Sequence, residues 1–168
     1  KLEFFNDASF LKGGLVYADF ITTVSKTYAG EIMTDYFGEN LNGLLWAKRD
    51  SVTGIINGIN YDEWNSATDT FIEKNYNLRN IISGKRENKL ALQRQFGLEE
   101  NPDKFLVGMV TRLTGQKGLD LVECVMDNIF ENGDIQMIIL GTGESQYENR
   151  LRHFEWKYKG SLASLIMF

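Results

Sequence analysis

The stretch FLVGMVTRLTGQKGLDLVECVMDNIF, Phe105–Phe130, limits most what this chain can fold into. Phe105–Val110 is a short apolar run that reads as a buried strand. Val122, Val125, Met126 and Ile129 recur at the spacing of a helix with one core-facing stripe. Between them lies a turn that carries two cations, Arg112 and Lys117. Strand, turn and helix in this order open a βαβ unit, and such units build parallel sheets. Ligands of these sheets collect at the carboxyl ends of the strands. A helix start there presents unpaired N–H groups and the positive end of its dipole. A guanidinium and an ammonium added at that point suit the place to a diphosphate. Pairing of both cations with surface carboxylates is the competing reading, and spacing leaves both open.

The rest of the second half repeats the alternation. Ser83–Phe96 reads as a charged helix with Leu92 and Phe96 one turn apart, and Gly97 is placed to end it in the left-handed conformation. The run Lys85-Arg86-Glu87-Asn88-Lys89 reads as its solvated face. Ile135–Leu140 is a buried strand. Tyr147, Leu151, Phe154 and Tyr158 line one face of the next helix, Gly160 ends it, and Leu162–Phe168 is a last strand. The order is β-α-β-α-β.

The first half predicts a helix over Phe10–Asp19, weakened by Gly13 and Gly14, and a strand over Phe20–Ser25. Ser25 is placed to cap a helix that runs to about Met33. Leu41–Lys48 reads as a helix and Ser51–Asn57 as a strand. The strand ends at Asn57-Gly58, a dipeptide that locally signals a turn. Ile59–Thr70 is polar and aperiodic, so it reads as a linker and the domain boundary. The fold class is α/β with parallel Rossmann-like sheets.

With 168 residues, 43% of them apolar and 12% aromatic, the chain has material for one domain or pieces of two. A formal net charge of -5 argues against bulk attraction to nucleic acid or an anionic membrane. Against that background Arg112 and Lys117 stand out. No apolar run approaches a membrane span and no signal peptide is visible. Cys124 is the one cysteine, so no intrachain disulfide forms; this fits a reducing, cytoplasmic setting, and the residue reads as a small core side chain. His153 is the one histidine, which rules out a two-histidine metal site; in the run Arg150–His153 it reads as solvated. Trp46, Trp64 and Trp156 read as partly buried. The missing initiator methionine and the apolar last run, SLASLIMF, suggest a piece of a longer protein.

LGTGESQ, Leu140–Gln146, begins like a dinucleotide fingerprint, but Gln146 holds the third glycine position, which counts against a nicotinamide-dependent dehydrogenase. Gly141 and Gly143 still allow backbone to approach a ligand; a plain βα turn is the alternative. No Gly-Lys-Ser/Thr occurs, so the usual ATPase and GTPase readings fall away.

Taken together, several stretches closely resemble one family, the bacterial glycogen synthases and plant starch synthases. They are FLKGGLVYADFITTVSKTYAGEI (Phe10–Ile32), GIINGINYDEWNSATD (Gly54–Asp69), KRENKLALQRQFGL (Lys85–Leu98), VTRLTGQKGLDLV (Val110–Val122) and LGTGE (Leu140–Glu144). They follow the family's order with similar spacing over nearly the whole chain. The resemblance implies a two-domain GT-B glycosyltransferase, of which this chain is a central fragment. Residues 1–58 would close the amino-terminal domain, 59–70 would link, and 71–168 would form the first half of the carboxyl-terminal nucleotide-binding domain.

Enzymes of that family extend an α-1,4-glucan by one glucose taken from ADP-glucose, with retention at the anomeric carbon. By the resemblance, Arg112 and Lys117 contact the donor diphosphate and serve as the catalytic cations. Asn57 faces the sugar, which displaces the turn-only reading of that residue. Gly141 and Thr142 lie near the nucleoside. No cofactor or metal is implied; the partners are ADP-glucose and an α-glucan. Fixed cations stabilise the negative charge that develops on a departing phosphate.

The chain also departs from the family pattern. The glycine-rich donor loop and the histidine of the amino-terminal domain are absent, as is the carboxyl-terminal stretch with the family's glutamate and second glycine-rich turn. Gly115 replaces a usually polar residue, and Lys26 and Ser66 stand where prolines are usual. The isolated chain is not expected to turn over substrate. A UDP-glucose-dependent relative and a non-catalytic nucleotide-sugar module are the alternatives.

Overall fold

A computed structural model describes residues 2–131 and 133–167. The chain divides into two units, Lys1–Tyr61 and Asp62–Phe168, and each is described by itself.

The first unit starts with a two-residue antiparallel pair, β1 (Glu3–Phe4) and β2 (Asp7–Ala8), which the sequence reading did not include. Ser9 caps α1 (Phe10–Tyr17): its Oγ accepts from the Lys12 N–H at 3.1 Å. β3 (Ile21–Val24) follows, then α2 (Lys26–Glu31), capped as expected by Ser25, whose Oγ accepts from Tyr28 N–H at 3.0 Å. After α3 (Asn42–Ala47) comes β4 (Val52–Ile55), which pairs in parallel with β3 over four residues. After β4, residues 56–60 continue without a turn, so the turn that Asn57-Gly58 signals locally does not form. Ile21, Leu41 and Leu45 form the buried core.

Lys48 ties α1 to α3. Its Nζ donates to the carbonyls of Leu15, Val16 and Ala18 at 2.9, 3.0 and 2.6 Å, the C-terminal oxygens that a helix leaves unpaired. Charged hydrogen bonds of this kind contribute about 1.5–3 kcal/mol. Lys48→Met is expected to weaken the first unit by about 2 kcal/mol, read as loss of hydrogen-exchange protection in the last turn of α1.

In the second unit, residues from Asn65 onward are held by local bonds. Ser66 Oγ donates to Tyr76 O at 2.9 Å, and Asn88 Nδ2 reaches Lys74 O at 2.7 Å. α4 (Ile81–Gln95) ends in a Schellman arrangement at Gly97 (φ +66°): Leu98 N–H reaches Gln93 O at 2.8 Å and Gly97 N–H reaches Arg94 O at 3.2 Å. Then follow β5 (Phe105–Val110), α5 (Leu119–Glu131), β6 (Ile135–Leu140), α6 (Ser145–Lys157) and β7 (Leu162–Leu165). The strands form a parallel sheet in the order β5-β6-β7. α5 and α6 cover one face, where Leu119, Met126, Phe130, Tyr147 and Leu151 meet Met137, Ile139 and Leu162. On the other face Leu98 and Phe96 meet Ile138, Ala163 and Leu106.

A buried amide pair fastens that second face. Gln93 and Gln136 are both fully buried. Gln93 Nε2 donates to Gln136 Oε1 at 2.5 Å and to Asn101 O at 2.8 Å, and Gln136 Nε2 donates to Glu99 O at 2.8 Å. Gln136→Leu strands the Gln93 amide and is expected to cost about 1–3 kcal/mol, whereas Gln93→Leu/Gln136→Leu together cost less than the sum. Denaturant unfolding of the single and double variants measures the difference.

Several readings are corrected here. Cys124 is exposed rather than in the core, because it lies two residues from both Val122 and Met126, on the far side of α5. Val125 is 44% exposed; Leu119 and Phe130, not Val125, complete the stripe around Val122, Met126 and Ile129. Trp46, Trp64 and Trp156 are all exposed. In the 85–89 run, Lys89 turns inward and donates to the carbonyls of Pro102 and Lys104. The last strand stops at Leu165, and Phe168, placed in it by the sequence reading, lies outside the described residues.

Candidate functional site

The carboxyl ends of β5 and β6 each run into a loop. The first, Thr111–Gly118, carries Arg112 and Lys117. Leu113 is fully buried between them and anchors the loop. Gly115–Lys117 forms a single 3-10 turn that Gly118 (φ +71°) closes before α5 begins. A side chain at residue 115 would bring its Cβ to 2.9 Å from the Tyr147 hydroxyl, so glycine there fits beneath that ring. Arg112 and Lys117 are exposed, and neither takes part in an ion pair or side-chain hydrogen bond among the described residues. The surface-pairing alternative for them is therefore not what the structure holds.

The second loop, Gly141–Glu144, lies against the first. Leu113 N–H donates to Thr142 O at 3.0 Å, and Glu144 N–H donates to Leu113 O at 2.9 Å, a bridge that prolongs the sheet beyond its strands. The approach is close enough to require glycine. A Cβ on Gly141 (φ +156°) would sit 1.8 Å from Thr111 O, and one on Gly143 would sit 2.3 Å from Leu113 O.

The outer side of this loop is held by Glu148, in the first turn of α6. Its Oε1 accepts from Thr142 Oγ1 at 2.7 Å and from Gly143 N–H at 3.1 Å, and Arg152 lies 3.7 Å from Oε2. The Thr142 hydroxyl, then the Gly143 N–H, hold its carboxyl below the ordinary glutamate range. A carboxyl depressed on folding stabilises above its unfolded pKa, and that contribution disappears as pH falls through the folded value. Hydrogen exchange at Gly143, corrected for intrinsic rate, is expected to accelerate on acidification below about pH 4.3, the unperturbed value.

Arg112 and Gly141 line one cavity of about 290 Å³ with Val110, Thr111, Leu140 and Met167. Lys117 and Thr142 belong to the same two loops but do not line it. Asn57 is exposed two residues past the end of β4, in the first unit. The sequence reading missed Glu148 and Leu113; the reach of a first-turn acid back to the residues before its helix was the signal for the former. Among the described residues no cluster of three or more histidine, cysteine or acidic side chains could hold a metal, and no helix is long and apolar enough to cross a membrane.

A family model described as the starch synthase catalytic domain matches residues 1–47. A glycogen synthase of Lachnospira eligens is 52% identical over all 168 residues, which cover 35% of that protein. One from Lachnoclostridium phytofermentans is 48% identical over the same span, again 35% of its length. The catalytic domain of starch synthase IV from Arabidopsis thaliana, bound to ADP and acarbose, superposes with a TM-score of 0.83 at 33% identity, covering 94% of this chain and 32% of that one. The chain belongs to the glycogen synthase and starch synthase family.

It spans about a third of the length of the curated glycogen synthases it matches. The likeness to them runs through both units, since the whole chain is aligned. The parallel α/β architecture is that of the GT-B starch synthase catalytic domain.

Proposed function

We propose that the protein carrying this chain is a glycogen synthase, a retaining hexosyltransferase that moves glucose from ADP-glucose to the non-reducing end of an α-1,4-glucan. The observation that carries the reading is the position of Arg112. It has no ion-pair partner among the described residues, and it lines a cavity with Gly141 at the carboxyl ends of two parallel strands. In this reading residues 1–58 close an amino-terminal domain and 71–168 open a nucleotide-binding domain, joined by 59–70. The change of unit at Tyr61–Asp62 supports that division. A soluble donor and polymer make the cytoplasm the compartment of the reaction.

Breaking the bond from the anomeric carbon to ADP leaves the electron pair on a phosphate oxygen. Arg112 and Lys117 take up that charge from a loop whose backbone is held through Leu113. Arginine suits the planar, two-pronged contact with phosphate and lysine supplies a point charge. Asn57 offers an amide to the sugar hydroxyls. Gly141 and Thr142 offer backbone to the nucleoside.

The test is glucose transfer to glycogen by the complete protein, with ADP-glucose and UDP-glucose in parallel. Transfer from ADP-glucose, with product linkages cleaved by an α-1,4-specific amylase, is the expected result. Preference for UDP-glucose would move the protein to a relative with another donor. Nucleotide binding without transfer would make it a binding module.

A further inference from the structure

The glycine loop after β6 stands before a helix and has the look of a phosphate cradle. The structure gives its outward donors a different occupant. Gly143 N–H and the Thr142 hydroxyl both point to Oε1 of Glu148, at 3.1 and 2.7 Å. That carboxylate comes from the chain itself, and its side chain is only 18% exposed. Glu144, at the N-cap position, makes no side-chain cap of its own. The loop's inner side is already committed, through Thr142 O and Glu144 N–H, to Leu113. A phosphate placed at the outer donors would have to displace a carboxylate of its own sign.

We propose that Glu148 is a positioning residue for donor binding: it fills the outward donors of the Gly141–Glu144 loop, so that the loop meets the nucleoside by backbone shape and the phosphates are left to Arg112 and Lys117. The inference rests on the reading of this chain as part of a sugar-nucleotide-dependent enzyme, and it assigns to each loop one part of the nucleotide. Two like-charged groups cannot share the Gly143 N–H and the Thr142 hydroxyl, and the Glu148 carboxylate holds both before any ligand arrives. The two residues that the carboxylate holds directly follow Gly141, which lines a cavity with Arg112.

The consequences differ from those of a purely structural residue. Loss of the carboxylate lets the outer half of the loop sample other conformations, and apparent affinity falls by the fraction of time the loop is competent. That penalty falls equally on any ligand that contains the nucleoside. It leaves the chemistry at the phosphate untouched, so KM for the donor rises while kcat at saturation holds. A glutamine at 148 keeps an acceptor oxygen within reach of both donors and restores binding.

The experiment uses the complete protein, with calorimetric titration of ADP and of adenosine into wild type, Glu148→Ala, Glu148→Gln and Thr142→Val, and donor kinetics on the same samples. Glu148→Ala is expected to weaken ADP and adenosine by the same factor, about tenfold. Glu148→Gln is expected to return both to near wild-type affinity. Thr142→Val, which keeps the Gly143 bond, is expected to fall between them. Three results overturn the proposal: unchanged affinity in Glu148→Ala, weakened ADP with adenosine unaffected, or tighter ADP in Glu148→Ala or Glu148→Gln, as expected of a site where phosphate competes with the carboxylate. Should Glu148→Ala not fold, the equal response of ADP and adenosine to Thr142→Val decides alone. A wild-type protein that binds neither ligand overturns the enzyme reading itself, which separates that failure from this one.

Discussion

Replacing Arg112 by alanine in the complete protein is expected to lower kcat/KM for the donor by about 10²–10³-fold, which corresponds to about 3–4 kcal/mol of lost transition-state stabilisation. The effect is large because the guanidinium has no competing partner among the described residues and lines the cavity at the strand ends. It is a leaving-group effect, so most of it falls on kcat rather than on donor affinity. Lys117→Ala is expected to act in the same direction. The two losses should not add in Arg112→Ala/Lys117→Ala, because both cations serve one developing charge. Steady-state kinetics at saturating glycogen measures all three variants. Folding is not at issue, since both side chains are exposed and carry no structural bond among the described residues. Unchanged kcat/KM in both single variants would remove the diphosphate role from this loop.

Gly141→Ala is expected to be the most damaging small substitution in the second unit. Its new methyl would sit 1.8 Å from the carbonyl oxygen of Thr111, inside the bridge that joins the two loops. Backbone cannot yield there without breaking the Leu113–Thr142 and Glu144–Leu113 hydrogen bonds. Strain, lost bonds and the positive φ together put the cost on the order of 3 kcal/mol or more. Gly108→Ala is the control: it lies in β5 of the same sheet, and an added Cβ there meets nothing within 4 Å. Denaturant unfolding read by hydrogen exchange in β5–β7 separates the two, with the control within about 0.5 kcal/mol of wild type. Loss of nucleotide binding should accompany the first variant and not the second.

The parallel sheet of the second unit was legible because its strands are apolar runs of six residues or fewer, set between amphipathic helices of ordinary period. Caps were legible for the same local reason: Ser25 and Gly97 sit where their side chain, or the lack of one, fits the chain's requirement. Val125 and Cys124 were misplaced because a hydrophobic side chain on a helix says little about which of two adjacent faces it joins. Val125 lies beside the stripe, not in it. The tryptophans misled in a similar way, since size and apolarity do not fix burial. Of the candidate site, the two loops and their cations could be read from spacing. What could not be read is that the loops bond to each other through Leu113, which depends on where β5 and β6 bring their ends, a long-range fact that no window of sequence contains. The reach of Glu148 back across its own helix start is local, five and six residues along the chain, and was missed although the acid in the first helical turn signalled it.

The Leu113 bridge has a bearing on engineering. Because one buried leucine of the first loop commits both its N–H and its carbonyl to the second, residues 110–119 and 140–148 behave as a single exchangeable cassette. An attempt to retune base or sugar preference by swapping either segment from a relative would splice two incompatible halves of a clasp. Grafts that carry both segments together, and shuffled libraries whose crossovers fall outside them, are the ones that should yield folded variants.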